Sequence, residues 1–184
     1  SLNVGRVDTD ELYRKITQDF TFDAIAREDY YVDYQNIYTN LGVMSLRNMF
    51  VSASNAFLAA GVNDRALEML DKCRQVLKPE LYPCENTIFG WGSNALFPIE
   101  MISLYYRLGY PDKAKSLASE LKAEVLQSLA FYFDFYDVAK TDFEYCYSLF
   151  YYMKDVVEKS GDTEFANQLD LEISDFMSTL AELF

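Results

Sequence analysis

The sequence predicts an all-α fold, an array of about three antiparallel helix pairs behind a short N-terminal helix, wound as an α-α superhelix. Three observations carry this expectation. Gly61, Gly109 and Gly161 each stand between stretches in which apolar residues recur at steps of three and four, the period of one helix face. An alanine follows each glycine by five residues, at Ala66, Ala114 and Ala166, where a small side chain lets two helices approach closely. The joints are also short, which forces the helices on either side to run antiparallel.

Taken in order, Asp8-Thr9-Asp10-Glu11 has the spacing of a capping box and predicts an N-terminal helix over 8–20, with Leu12, Tyr13 and Ile16 inside. From Phe20 to Asn40 the pattern is mixed and rich in tyrosine, including Tyr30, Tyr31, Tyr34 and Tyr38, and reads as an extended or irregular segment lying along the helices. The first pair spans 41–78. Leu46, Met49, Phe50, Ala53, Phe57 and Ala60 form one stripe; Gly61 closes that helix and Asn63 is placed to cap the next. Ala66, Leu67, Leu70, Cys73, Val76 and Leu77 form the second stripe, and Pro79 stops it. The stretch from Lys78 to Asn94, with Pro79, Pro83, Gly90 and Gly92, is the largest interruption.

The second pair spans 95–136. Its first helix begins near Phe97 or Pro98 and ends at Gly109, and Pro111 suits the first turn of the next, where its missing N–H has no intrahelical partner to lose. Ala114, Leu117, Ala118, Leu121 and Val125 make the inner stripe. The third pair spans 141–184, its start set by a second capping box, Thr141-Asp142-Phe143-Glu144. After Gly161 the inner residues are Phe165, Ala166, Leu169, Ile173, Phe176 and Leu180.

With 184 residues, 51% of them hydrophobic, the chain can bury roughly 70% of its unfolded surface. One helical-repeat domain over 1–184 is the expectation. The longest uncharged and fairly apolar run, Thr87 to Ile99, is broken by Gly90, Gly92 and Pro98 and falls short of the ~20 apolar residues a bilayer needs. The sequence starts at Ser1, without an initiator methionine, and is expected to be a piece of something longer; no basic region followed by an apolar run marks an export signal in it.

The net charge of −13 repels phosphate backbones, and nucleic acid is not an expected partner. Between Thr141 and Phe184 ten acids face only Lys154 and Lys159; this is either a solvated face or a docking surface for a basic partner. There is no histidine, and Cys73, Cys84 and Cys146 show no C-x-x-C spacing. Neither a metal nor a cofactor is expected. Cys73 sits on an apolar stripe as a small hydrophobe; spacing leaves a Cys73–Cys84 disulfide open.

Lack of histidine removes the commonest general base, and no phosphate loop or nucleophile elbow is present. Acid pairs such as Asp134 and Asp137 have the chemistry of glycoside hydrolysis; among 29 acids chance proximity is the plainer reading, and a non-enzyme is expected. The aromatics Phe131, Tyr132, Phe133, Phe135 and Tyr136, then Tyr145, Tyr147, Phe150, Tyr151 and Tyr152, read as core between long helices. The alternative is a surface that stacks on sugars or grips a peptide. Trp91, flanked by Gly90 and Gly92, is a loop candidate for ligand contact or a plug in the core.

The recurrence of Phe50, Phe57, Gly61, Ala66, Leu70 and Pro79 in the first pair resembles the tetratricopeptide repeat. Tyr105, Gly109 and Ala114 in the second pair, and Gly161 and Ala166 in the third, keep part of the pattern. The glycines lie 48 and 52 residues apart, beyond the usual repeat of about 34. In such an array the groove positions fall at Asn48, Val51 and Asn55, then Ser103 and Tyr106, then Tyr151, Asp155 and Glu158. None is Lys or Arg, so a neutral or basic protein or peptide is the expected ligand.

Four runs go beyond the generic repeat: Val7-Asp8-Thr9-Asp10-Glu11-Leu12-Tyr13, Leu46-Arg47-Asn48-Met49-Phe50, Asp64 to Cys73, and Leu104-Tyr105-Tyr106-Arg107-Leu108-Gly109. In that order they resemble the C-terminal soluble part of a family of large multi-pass bacterial membrane proteins described as protein O-mannosyltransferase-like, long catalogued as a domain of unknown function. The resemblance implies a non-catalytic interaction or scaffolding appendage, attached to a membrane portion outside this sequence and placed on the periplasmic face. Its partners would be proteins or peptides and its own membrane domain. A carbohydrate-binding module using exposed Tyr and Trp is the alternative.

Overall fold

The same backbone turn is built three times. In the computed structural model, which describes residues 8–29, 31, 42–84 and 96–182, Gly61, Gly109 and Gly161 have φ of +75°, +85° and +93°. The Gly61 N–H donates to the Leu58 carbonyl (3.0 Å) and the Val62 N–H to that of Phe57 (2.9 Å). Gly109 and Tyr110 repeat the pair on Tyr106 and Tyr105, and Gly161 and Asp162 on Glu158 and Val157. These two bonds satisfy the last carbonyls of the helix and require a left-handed residue at the glycine.

The residue after each glycine then opens the next helix. Its carbonyl accepts from the alanine four residues on: Ala66 N–H to Val62 (3.2 Å), Ala114 to Tyr110 (3.2 Å) and Ala166 to Asp162 (3.0 Å). The five-residue glycine-to-alanine spacing is therefore the spacing from a helix stop to the first closed turn of its successor. All three alanines are buried, and in the first pair the Ser54 hydroxyl reaches the Ala66 carbonyl at 2.9 Å. Asn63 does not cap. It is the first helical residue, and Val62 takes the cap position without a side-chain bond, because the glycine turn places the first acceptor one residue earlier.

A methyl group built on Gly109 meets no atom within 4 Å, so only the left-handed backbone penalises Gly109→Ala. The expected loss is about 1–2 kcal/mol, read as a lower urea midpoint; unchanged stability would mean that the turn tolerates a different backbone.

The chain groups into two compact units, Ser1–Tyr82 and Pro83–Phe184. The boundary falls inside the interrupted stretch 78–94. In the first unit, α1 (Thr9–Arg14) starts where Asp8 accepts the Asp10 and Glu11 N–H groups at 3.1 and 3.0 Å, and it runs on as a π-helical turn over Lys15–Asp19. α2 (Val43–Ala59) and α3 (Asn63–Val76) form the first pair. Tyr13 fastens α1 to both helices: its ring meets Phe57 edge-on at 6.1 Å, its hydroxyl donates to Glu68 at 2.6 Å, and Arg65 lies over its face. Of the segment after α1, Phe22 packs on Phe50 and the Ile25 carbonyl accepts from Tyr82. Tyr31 is exposed; Tyr30, Tyr34 and Tyr38 lie outside the described residues.

The second unit holds α4 (Leu96–Arg107), α5 (Pro111–Asp134), α6 (Tyr136–Lys159) and α7 (Thr163–Glu182). α4 packs on α5 and α6 on α7; across the pairs α5 meets α6, α4 lies beside α6 and α5 beside α7. First helices next to first helices, and second next to second, is the neighbour pattern of a stacked helical-repeat array. Tyr105, Leu117, Leu129, Cys146, Phe150, Val157 and Leu169 fill the space between them. Lys154 reaches Asp170 at 2.6 Å, and Lys122 pairs with Glu172. α6 as a whole starts at Tyr136, but Ala139 is non-helical and the long helix restarts at Lys140, one residue before the exposed Thr141 of the second capping box. No helix among the described residues is long and apolar enough to cross a membrane.

Candidate functional site

On α4 the buried residues Ile99, Ile102 and Tyr105 face the core, which turns Ser103, Tyr106 and Arg107 toward the neighbouring α6. Along α6, Met153 and Val157 are buried and Val156, Lys159 and Ser160 turn back. These six residues line a hollow of about 440 Å³ in the second unit. Asp162 sits beside it, where the third glycine turn meets the second pair.

Asp162 joins three elements through one carboxylate. Its Oδ1 accepts the Phe165 N–H at 3.1 Å and so caps α7; its Oδ2 accepts the Tyr106 hydroxyl at 3.1 Å and the Lys115 ammonium at 3.0 Å. Burial by itself would raise the Asp162 pKa, but the Lys115 bond, the Phe165 N–H and the Tyr106 hydroxyl outweigh it and hold the carboxyl below its ordinary value. The Tyr106 hydroxyl is shifted up, first by burial and then by the acceptor it donates to. Tyr106 is thus held in place and offers the hollow its ring more than a free hydroxyl.

The basic groups at the rim differ. Lys159 reaches Asp155 at 2.7 Å, and that bond raises its pKa. Arg107 is exposed and makes no ion pair or hydrogen bond among the described residues. The hollow therefore carries one uncommitted cation beside hydroxyls and a tyrosine ring, a mixed character that the groove positions named from sequence did not show.

Of those positions, Ser103 and Tyr106 line the hollow. Asp155 engages Lys159, and Glu158 lies 3.8 Å from Lys154. Tyr151 is half-exposed on α6, where the Tyr147 hydroxyl donating to it, together with partial burial, pushes its pKa up to about 12. Asn48, Val51 and Asn55 belong to the first unit: Asn48 is exposed and accepts from Ser52, Asn55 is half-buried, and Val51, 2% exposed, packs in the core. Arg107, Val156, Lys159 and Ser160 were not among the groove positions expected from the sequence. Arg107 and Ser160 adjoin the glycine turns, and that adjacency was the available signal. Trp91 lies outside the described residues.

The aromatic run divides differently from its reading as core. Phe150 and Phe143 are buried, but Phe131, Phe135, Tyr136, Tyr151 and Tyr152 are exposed. Phe131, Phe135 and Tyr136 lie at the α5–α6 joint, where non-helical Phe135 and Ala139 bracket a single turn between the long helices and rings at so tight a corner project past the helix seam; Tyr151 and Tyr152 lie on the outer face of α6. Cys73, Cys84 and Cys146 are buried, and none of them forms a disulfide with another. Among the described residues no group of three or more His, Cys, Asp or Glu could hold a metal ion. No family model, no curated protein and no solved structure matches this chain.

Proposed function

We propose that this chain is a non-catalytic interaction module that holds a protein or peptide segment along the face shared by α4 and α6, as the soluble appendage of a larger membrane protein. The observation that carries the reading is the placement of two successive first helices side by side with a hollow between them, lined by groups suited to peptide backbone and side chains: hydroxyls, a fixed tyrosine ring and an uncommitted arginine. Attachment to a multi-pass glycosyltransferase-like portion, on its periplasmic side, rests on the four runs that resemble that family. The carbohydrate reading draws on the exposed Phe135, Tyr136, Tyr151 and Tyr152, since ring faces stack on sugars as readily as on peptides.

A photo-crosslinking residue in place of Ser103, introduced into the full-length protein in its own cells, tests this. Specific protein adducts from Ser103, and none from the same residue at exposed Ser174 on α7, are the expected result. Adducts carrying glycan or lipid-linked sugar would favour the alternative, and equal adducts from both positions would rule out the hollow as the binding face.

A further inference from the structure

We propose that the α5–α6 corner, at the opposite end of α6 from the hollow, is a second docking surface, and that its occupant is a cationic segment of another protein in which lysine or arginine alternates with apolar side chains. The corner exposes a large apolar surface: Phe131 is 58% exposed and Val138 87%. It is anchored, because Phe131 meets Phe135 at 5.1 Å and Tyr136 meets the buried Phe143 at 5.5 Å. A shallow hollow of about 440 Å³ is lined there by Phe133, Asp134, Phe135, Tyr136, Asp137 and Val138.

Charge identifies the occupant. Asp134 and Asp137 are exposed and make no ion pair or hydrogen bond among the described residues. The nearest lysine along α6, Lys140, is directed to Glu144 at 3.7 Å. Uncompensated carboxylates beside exposed ring faces attract a cation in two ways, through the ion pair and through the ring quadrupole, while the apolar remainder takes the neighbouring side chains of the partner. A second copy of this chain would bring like carboxylates together in molecules of net charge −13, and an anionic bilayer meets the same repulsion. A neutral sugar stacked on one of these rings would leave both carboxylates without a counter-charge, which a cationic segment supplies.

The test uses the full chain and a synthetic amphipathic Lys/Leu peptide, with a Glu/Leu peptide of the same pattern as control, followed by backbone amide NMR. The Lys/Leu peptide is expected to shift amides within 131–138 and to bind more weakly as salt rises. Asp134→Asn with Asp137→Asn should weaken it about threefold to tenfold, and Phe135→Ser with Val138→Ser should weaken it further. The same charge change elsewhere, Asp175→Asn with Glu182→Gln on α7, should leave it unchanged. Equal losses from the α7 control, or shifts centred on another part of the acidic surface, would show that net charge alone recruits the peptide and would overturn the proposal. Concentration-dependent dimerisation, or binding to phosphatidylcholine vesicles, that is abolished by Phe135→Ser would give the corner to a second copy or a bilayer and overturn it equally.

Discussion

Arg47→Ala is expected to destabilise the first helix pair by about 3–5 kcal/mol, the largest effect of any substitution considered for this chain. Arg47 is 2% exposed in the middle of α2, and its guanidinium donates to the Tyr82 carbonyl. Tyr82 is itself fully buried and passes its hydroxyl to the Ile25 carbonyl at 2.8 Å. One side chain therefore ties α2 to the turn after α3 and, through Tyr82, to the segment after α1. Hydrogen bonds from a charged donor are worth about 1.5–3 kcal/mol, and truncation to alanine also empties the space filled by the aliphatic stem. Arg47→Met keeps the stem and removes the cost of burying a charge, so its loss should be smaller, about 1–2 kcal/mol by the same reckoning. Amide hydrogen exchange in α2 and α3, beside urea midpoints, separates the two. An Arg47→Ala protein within about 0.5 kcal/mol of the parent, the range of an ordinary surface change, would show that the arginine is not a tie.

Asp162→Ala should rank second, at about 2–3 kcal/mol. Losing the cap on α7 costs about 1 kcal/mol and losing the bond from half-buried Tyr106 a further 1–2 kcal/mol or about that. The Lys115 ammonium is 42% exposed and solvent-screened, so it adds nothing to that sum. Asp162→Asn keeps one oxygen, enough for the α7 cap, while its NH2 replaces the oxygen that accepts from Tyr106 and Lys115, so it should lose less than alanine but still release the tyrosine. The pH dependence follows from the direction of the shift. Because the folded-state pKa of Asp162 is lowered, its contribution is present above the unfolded value of about 3.9 and is lost as pH falls through the folded one. Glu172, where burial raises the pKa but Lys122 and Gln168 outweigh it, acts in the same acid window. Urea midpoints of the parent should therefore decline as pH drops below about 4, and less steeply in Asp162→Asn. A decline of equal slope in both proteins would remove Asp162 from the account. At the other end of the scale Tyr106, whose pKa is raised, contributes stability that is whole below the ordinary tyrosine value and is lost as pH rises toward the raised one. Tyr106→Phe should flatten that alkaline limb.

The hollow between α4 and α6 and the Asp162 junction are the same construction seen from two sides. Tyr106 lines the first and donates to the second, so a variant that loosens the junction also shifts a wall of the hollow. Comparing crosslinking from Ser103 in the parent and in Asp162→Asn would therefore report whether occupancy depends on the fixed tyrosine.

What the sequence by itself determined is local. A glycine that must take positive φ, an alanine four residues after the following acceptor, and apolar residues at helical steps are requirements of the backbone and of one helix face, and they are legible because they involve residues close together in the chain. The helix pairs, the start of α1 at Asp8 and the burial of Ala66, Ala114 and Ala166 follow from them. Only the tertiary structure decided which helix faces meet. It turned Val51 into the core, set Tyr106 against Asp162 across 56 residues of chain, brought Arg107 and Lys159 to one hollow, and left Phe131 and Phe135 outside. The apolar period marks that a ring lies on a helix face, but it carries no information about whether another element arrives to cover that ring. That depends on crossing geometry and on the corner between Phe135 and Ala139, which are properties of packed helices and not of any one of them.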